Sequence, residues 1–211
     1  MADTAARLCV PPADPALVEP YQSAATAIIS DNLERLPGAV GLRSFHCGGT
    51  MAGTALTVRT AAGDNLAIHR ALELVRPGHV LVVDGGGDTS RALIGEIIAS
   101  IARFRGAAGI VLDGAVRDSD VLGRSDFPCF ARAAIHRGPY KNGPGDLNVP
   151  VSIGGMIVQP GDIVVGDGDG VVAFPQAIAA ELLRAVRAQE VREADILKSI
   201  GEGRYTGAYG Q

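Results

Sequence analysis

Arg117 and Asp118 stand side by side just past an apolar run, a guanidinium and a carboxylate where reactive groups are expected. Ile110, Val111 and Leu112 read as a short buried strand, residues 110–113, that Gly114 breaks. In α/β proteins, loops at the carboxyl ends of strands direct side chains into a cleft. Arg117 offers a planar fork suited to a carboxylate or an enolate oxygen. Asp118 offers hard oxygen donors suited to magnesium or manganese. Lysine is scarce, with only Lys141, in a Gly/Pro/Asn-rich loop, and Lys198, on a charged helix. Neither position predicts the desolvated amine that Schiff-base chemistry requires. Carbon–carbon chemistry on a keto acid would therefore use a metal as its electron sink.

A second candidate is Gly95-Glu96-Ile97-Ile98. If helical hydrogen bonding begins near Gly95, the free N–H groups of the first turn face the same cleft as Arg117 and suit a substrate carboxylate. In the alternative, Gly95 is a close-packing glycine inside a helix that starts at Ser90. Asp84-Gly85-Gly86-Gly87-Asp88 fits neither phosphate-loop pattern, and its flanking acids would repel phosphate, so it reads as a turn. Asp167-Gly168-Asp169-Gly170 lacks the downstream glutamate of a calcium loop and also reads as a turn. His46, His69, His79 and His136 show no zinc spacing, and no serine has the context of a hydrolase elbow.

The elements that must position these groups follow from punctuation and periodicity. Helices are expected over 23–36, 65–75 (capped by Asp64), up to Phe104 or Arg105, 118–124 and 177–200. Strands are expected over 51–60, 79–84, 110–113 and 129–135, followed by hairpins from Val149 onward. Residues 138–148 read as loop, and residues 1–20 as a loose Ala/Pro-rich arm. The 211 residues, 47% hydrophobic and without Trp, suffice for one domain with an aliphatic core. A net charge of −4 without a basic run argues against nucleic acid. No signal pattern or membrane-length apolar run is visible, and Cys9, Cys47 and Cys129 lack metal or redox spacing, so a cytoplasmic protein with reduced thiols is expected.

These blocks resemble, in unbroken order over roughly residues 25–200, the aldolases for 4-hydroxy-4-methyl-2-oxoglutarate and 4-carboxy-4-hydroxy-2-oxoadipate. The superfamily includes the "regulator of ribonuclease E activity A" proteins. The resemblance is carried by Ser30-Asp31, residues 52–58, Val82-Val83-Asp84-Gly85-Gly86, Ala92-Leu93-Ile94-Gly95-Glu96, residues 109–118, Pro160-Gly161-Asp162 and Asp169-Gly170-Val171. It implies an α/β fold with a β/β/α swivelling core, antiparallel hairpins and a long C-terminal helix. It also implies a homo-oligomer, trimer or hexamer, with active sites shared between chains.

By position, the resemblance makes Asp118 the metal ligand for Mg2+ or Mn2+ and Arg117 the substrate arginine. Gly95, Glu96, Ile97 and Ile98 become the turn that holds a pyruvyl carboxylate, with Glu96 also reaching the metal's water. Glu193, or else Glu190, would reach a neighbouring subunit's site. The aldolase branch often carries another acid three residues after the metal aspartate. Here that position is Val121, and Asp120 sits one residue early, as in the ribonuclease-regulator branch. The long C-terminal helix is an aldolase-branch feature. The expected activity is metal-dependent cleavage of a 4-hydroxy-2-oxo acid to pyruvate and a keto acid, with oxaloacetate decarboxylation as a side activity. The alternative is a non-catalytic trimer that inhibits a ribonuclease.

Overall fold

The computed structural model describes residues 10–35 and 38–207. Its frame is a nine-stranded mixed sheet. The strands are β1 (Arg43–Ser44), β2 (Met51–Thr60), β3 (His79–Asp84), β4 (Ala92–Ile94), β5 (Gly109–Val116), β6 (Cys129–Ala134), β7 (Gly145–Leu147), β10 (Ile163–Asp167) and β11 (Gly170–Phe174). Between β7 and β10, β8 (Val151–Ile153) and β9 (Met156–Val158) form a separate hairpin. The sheet runs β1-β6-β5-β3-β2-β10-β11, with β4 added on β5 and β7 on β2. Its centre, β2-β3-β5-β6, is parallel, and the flanking pairs are antiparallel. β2 and β3 have the expected bounds. β2 is buried at nearly every residue rather than on alternate ones, because a central parallel strand is covered on both faces.

Helices α1 (Pro15–Val18), α2 (Thr26–Asp31), α3 (Leu66–Leu72), α4 (Glu96–Phe104), α5 (Ser119–Leu122) and α6 (Ala179–Gly201) complete the chain. One face of the sheet packs Leu56, Leu81 and Ile110 against Ile68 of α3 and Ile98 of α4. The opposite face is covered by the β8–β9 hairpin through Val151, Ile153 and Val158. A third cluster joins α1, α2 and α6 to β10 and β11 around Tyr21 and Phe174, whose ring centroids lie 4.9 Å apart. Among the described residues, no helix is long and apolar enough to cross a membrane.

Several expectations need correction. The arm is packed from Ala13 onward: Asp14 caps α1 through the Ala16 N–H, and the Tyr21 hydroxyl donates to Ala179 O at 2.6 Å. Residues 1–9, with Cys9, lie outside the described part. The helix expected over 23–36 spans only Thr26–Asp31. Its end is set at Asn32, whose Nδ2 donates both to Ile28 O and to Gln189 of α6, and Glu34 and Arg35 then take positive φ. Leu36 and Pro37 are outside the description. The expected loop over 138–148 contains β7.

The correction that matters most concerns Gly114. It does not end the strand: β5 continues to Val116, with a register shift against β6 between Leu112 and Ala115. Below the shift β5 pairs with β3, and above it with β4, because β3 leaves the sheet at Gly85. The N–H groups of Gly85 and Gly87 both donate to Asp113 O, at 3.1 Å each, and close that turn. The glycine run is therefore a turn, as expected, and it makes room for β4.

Candidate active site

Two strand-to-helix turns meet at the top of β4 and β5, and their interlock forms the site. β4 leads through Gly95 into α4, and β5 leads through Arg117 and Asp118 into α5. The Arg117 N–H donates to Ile94 O at 2.9 Å, which fixes one turn against the other. The Glu96 N–H donates to Asp118 Oδ2 at 3.0 Å, so the carboxylate sits on the positive end of α4. Gly95 is the N-cap of α4, not a glycine inside a helix from Ser90. A Cβ there would stand 2.5 Å from Asp118 Oδ2 and 2.9 Å from Arg117 Cγ, so the approach requires glycine. Asp118 has φ +57°, a left-handed conformation that costs energy for most residues and that aspartate tolerates better than most.

The charges in this turn are sparingly used. Arg117 Nε lies 3.8 Å from Asp118 Oδ2, beyond hydrogen-bond range, and the guanidinium has no other ion pair or hydrogen bond among the described residues. Arg117 stands between two clefts. The wider, about 720 Å³, is lined by Glu96, Asp118, Asp120, Val121 and His136. The narrower, about 260 Å³, is lined by Ile97, Ile98, Asn65, His69 and Lys141. The first-turn N–H groups of Ile97 and Ile98 have no intrahelical acceptor.

As a cation site the wide cleft has suitable chemistry. Asp118, Glu96 and Asp120 present only carboxylate oxygens, and one oxygen of Asp118 takes no protein donor among the described residues. Magnesium commonly uses one or two carboxylates and completes its shell with water, so Asp118 with one further carboxylate would suit magnesium or manganese. No group of three or more His, Cys, Asp or Glu side chains clusters for a metal among the described residues.

Arg117, Asp118, Gly95, Glu96, Ile97 and Ile98 thus come together as the sequence suggested. Glu193 and Glu190 do not join them within one chain. Glu193 Oε1 accepts from Gln189 Nε2 at 2.8 Å on the α2–α6 seam, and Glu190 pairs with Arg187 at 2.7 Å. Cys129 is inert, since burial pushes its thiol up to about 12.

Three residues on the narrow cleft were given no site role from the sequence. Asn65 and His69 come from the start and middle of α3, and Lys141 from the loop before β7. Burial and the nearby Lys141 ammonium hold the His69 imidazole below its usual value. The loop itself is fixed. Tyr140 N–H donates to Gly63 O at 2.8 Å, Asn65 N–H donates to Tyr140 O at 3.0 Å, and the Asp64 carboxylate accepts from both Leu66 and Asn142. The rarity of lysine singled out Lys141, but only as a Schiff-base candidate that was set aside.

This sheet, with its long C-terminal helix and paired turns, defines a class. The chain belongs to the RraA-like family, Aldolase/RraA, whose model matches residues 26–173. It is 36% identical over 171 residues, 81% of each chain, to a Halalkalibacterium halodurans protein named "Putative 4-hydroxy-4-methyl-2-oxoglutarate aldolase". Its fold matches that of an uncharacterized protein from Pseudomonas syringae pv. tomato, with TM-score 0.83 and 31% identity over 92% of each chain. It also matches Streptomyces coelicolor RraAS2, described as an unusual member of the RNase ES inhibitor RraA protein family. There the TM-score is 0.79 and the identity 28%, over 86% of this chain and 96% of that one.

Proposed function

We propose that this chain is a divalent-metal-dependent aldolase that cleaves 4-hydroxy-2-oxo acids, of the 4-hydroxy-4-methyl-2-oxoglutarate or 4-carboxy-4-hydroxy-2-oxoadipate type, to pyruvate and a second keto acid. The observation that supports it best is the Arg117–Asp118 turn, two charged groups held against a helix N-terminus with most of their bonding capacity unused. Magnesium or manganese, held by Asp118 with Glu96 nearby, would supply the positive charge that draws electrons toward the 2-oxo group.

The chain's own groups would do the rest. The N–H groups of Ile97 and Ile98 would receive the C1 carboxylate. Glu96 would take the proton leaving the C4 hydroxyl, directly or through a water. As the C3–C4 bond breaks, its electron pair moves to C3 and onto the C2 oxygen, where the Arg117 fork faces the new charge. Protonation at C3 then gives pyruvate. Oxaloacetate, which loses carbon dioxide to the same enolate, would be a side substrate.

Glu193 would serve the site of a second copy in a trimer or hexamer. Beyond Gln189 the C-terminal helix leaves its own body and exposes Ile196, Leu197 and Ile200 on one face, a strip suited to a neighbour. The partners in this reading are the keto acid and further copies of the chain, with neither nucleic acid nor membrane.

Pyruvate release from a panel of 4-hydroxy-2-oxo acids tests the proposal. Chelation should abolish release, and magnesium or manganese should restore it. No release from any member, together with capture of a ribonuclease by the intact protein, would favour the inhibitor reading that the RraAS2 likeness suggests.

A further inference from the structure

We propose that Arg91, which lines neither cleft, is a positioning residue for Arg117. It fixes the Gly138 carbonyl, and the Gly138 backbone is a wall that keeps the Arg117 guanidinium between the clefts. The inference rests on the role proposed for Arg117, which is to face the charge that develops on the C2 oxygen.

Arg91 lies just before β4, and its side chain joins three segments of chain. Nη1 donates to Gly138 O at 2.8 Å, and Nη2 donates to the Tyr140 hydroxyl at 2.8 Å. The guanidinium also lies over the Tyr140 ring, 4.1 Å from its centroid. Its stem runs along Gly63, where a Cβ would stand 3.0 Å from Arg91 Cδ. Among the described residues all these partners are neutral, so the guanidinium serves as a planar fork and not as a countercharge. What it holds is the span between two anchors. Ala92 N–H donates to Arg137 O at 2.8 Å, and Tyr140 is tied by backbone bonds to Gly63 and Asn65. Between these anchors it is Arg91 that grips Gly138.

Gly138 in turn bounds Arg117. A Cβ on Gly138 would stand 3.2 Å from Arg117 Nη1, and one on Gly95 would stand 3.2 Å from Arg117 Nε. The guanidinium therefore lies between two glycine backbones. β4 and α4 fix that of Gly95, and Arg91 fixes that of Gly138. Gly138 has no left-handed φ, so a side chain there would contest only the space that Arg117 fills. With Nε 3.8 Å from Asp118 Oδ2, Arg117 has no close partner that would select one rotamer. A long side chain without such a partner keeps its rotamer freedom, and the walls decide where the fork points.

The test is a double-mutant cycle on the intact protein in magnesium-containing buffer. It is read by equilibrium binding of oxalate, a planar dianion that resembles the pyruvate enolate. Arg91→Met should weaken oxalate binding by about 10-fold, the usual size for a residue that orients a binding group. In an Arg117→Met background the same change should cost less than about 2-fold, because there is no longer a guanidinium to position. Gly138→Ala leaves the Arg91 fork intact but crowds Nη1, and it should show the same loss with the same dependence on Arg117. Urea midpoints confirm that each variant is folded. An Arg91→Met loss of equal size in both backgrounds would make Arg91 a structural residue only. Wild-type oxalate binding by both Arg91→Met and Gly138→Ala would equally overturn the inference. A chain that shows the expected cycle yet releases no pyruvate would sink the aldolase reading and leave the positioning role standing. Pyruvate release by wild type with an additive cycle would do the reverse.

Discussion

Two clusters of charge occupy the carboxyl ends of the same parallel strands, and they differ in how fully their charges are satisfied. Asp84 and Asp113 are register partners on β3 and β5. Asp113 is buried, forms an ion pair with Arg132 and accepts from Gly154 N–H at 3.0 Å. Asp84 accepts from Gly86 N–H at 2.9 Å and from Ser152 N–H at 3.2 Å. Every carboxylate there has backbone or guanidinium partners, and the result clamps the glycine turn and the β8–β9 hairpin onto the sheet. Just past the end of β5, the Arg117 and Asp118 side chains are half exposed and lie 3.8 Å apart, and the one hydrogen bond that either makes is accepted by Asp118 from the Glu96 N–H at 3.0 Å. The first cluster has spent its charge on the fold. The second leaves most of its charge unpaired among the described residues.

That contrast can be broken most forcefully at Asp118. Asn keeps an acceptor for the Glu96 N–H and tolerates positive φ, but it removes the negative charge. Asp118→Asn should therefore lower kcat/KM for pyruvate release by about 1,000-fold while moving stability by less than about 1 kcal/mol. Parallel measurement of turnover and the urea midpoint checks both halves. A folded variant with near-normal turnover would place Asp118 with the structural carboxylates.

The mirror experiment is Arg132→Met. Removing one partner of a buried pair leaves Asp113 charged and under-compensated, a loss of about 3 kcal/mol in unfolding free energy. Adding Asp113→Asn should recover part of it, since the stranded charge is then gone. A loss below about 1 kcal/mol would show that this pair, too, is nearly idle, and the comparison would lose its structural half.

How much of this was legible beforehand follows from which signals are local. The Arg117–Asp118 turn was visible because an apolar run ends and charge begins. β4 was not, because Ala92, Leu93 and Ile94 are all buried and three apolar residues before a helix carry no period of their own. Missing β4 also hid why β5 runs past Gly114, since the strand needs a new partner there. Gly95 stayed ambiguous for the same reason: its crowding by Asp118 and Arg117 is a contact across separate turns. Lys141 is distant in sequence from Asn65 and His69, and meets them only through the hydrogen bonds that tie its loop to the start of α3. The hairpins from Val149 and the helix near 177–200 were readable from turn residues and a sustained amphipathic period.

The smallest expected effect links the two kinds of carboxylate. Asp64 is a satisfied acid that holds an unsatisfied site in place, through Leu66 N–H on α3 and Asn142 N–H next to Lys141. Burial pushes its carboxyl up, but the N–H groups of Leu66, Asn142 and Gly143 together outweigh that and leave it below the usual value. A carboxyl depressed in the folded state adds stability that is present above its unfolded pKa and is lost as pH falls through its folded one. Asp64→Asn should therefore cost about 1–2 kcal/mol near neutral pH. The gap to wild type should stay flat above about pH 5 and narrow below about pH 4, as the native acid itself becomes protonated. Urea unfolding of both proteins across that range reads the gap, and amide exchange at Asn142 reads the loop directly. Faster exchange at Asn142 is expected because the loop loses one of its anchors. A gap that is independent of pH would mean that Asp64 acts through its shape alone.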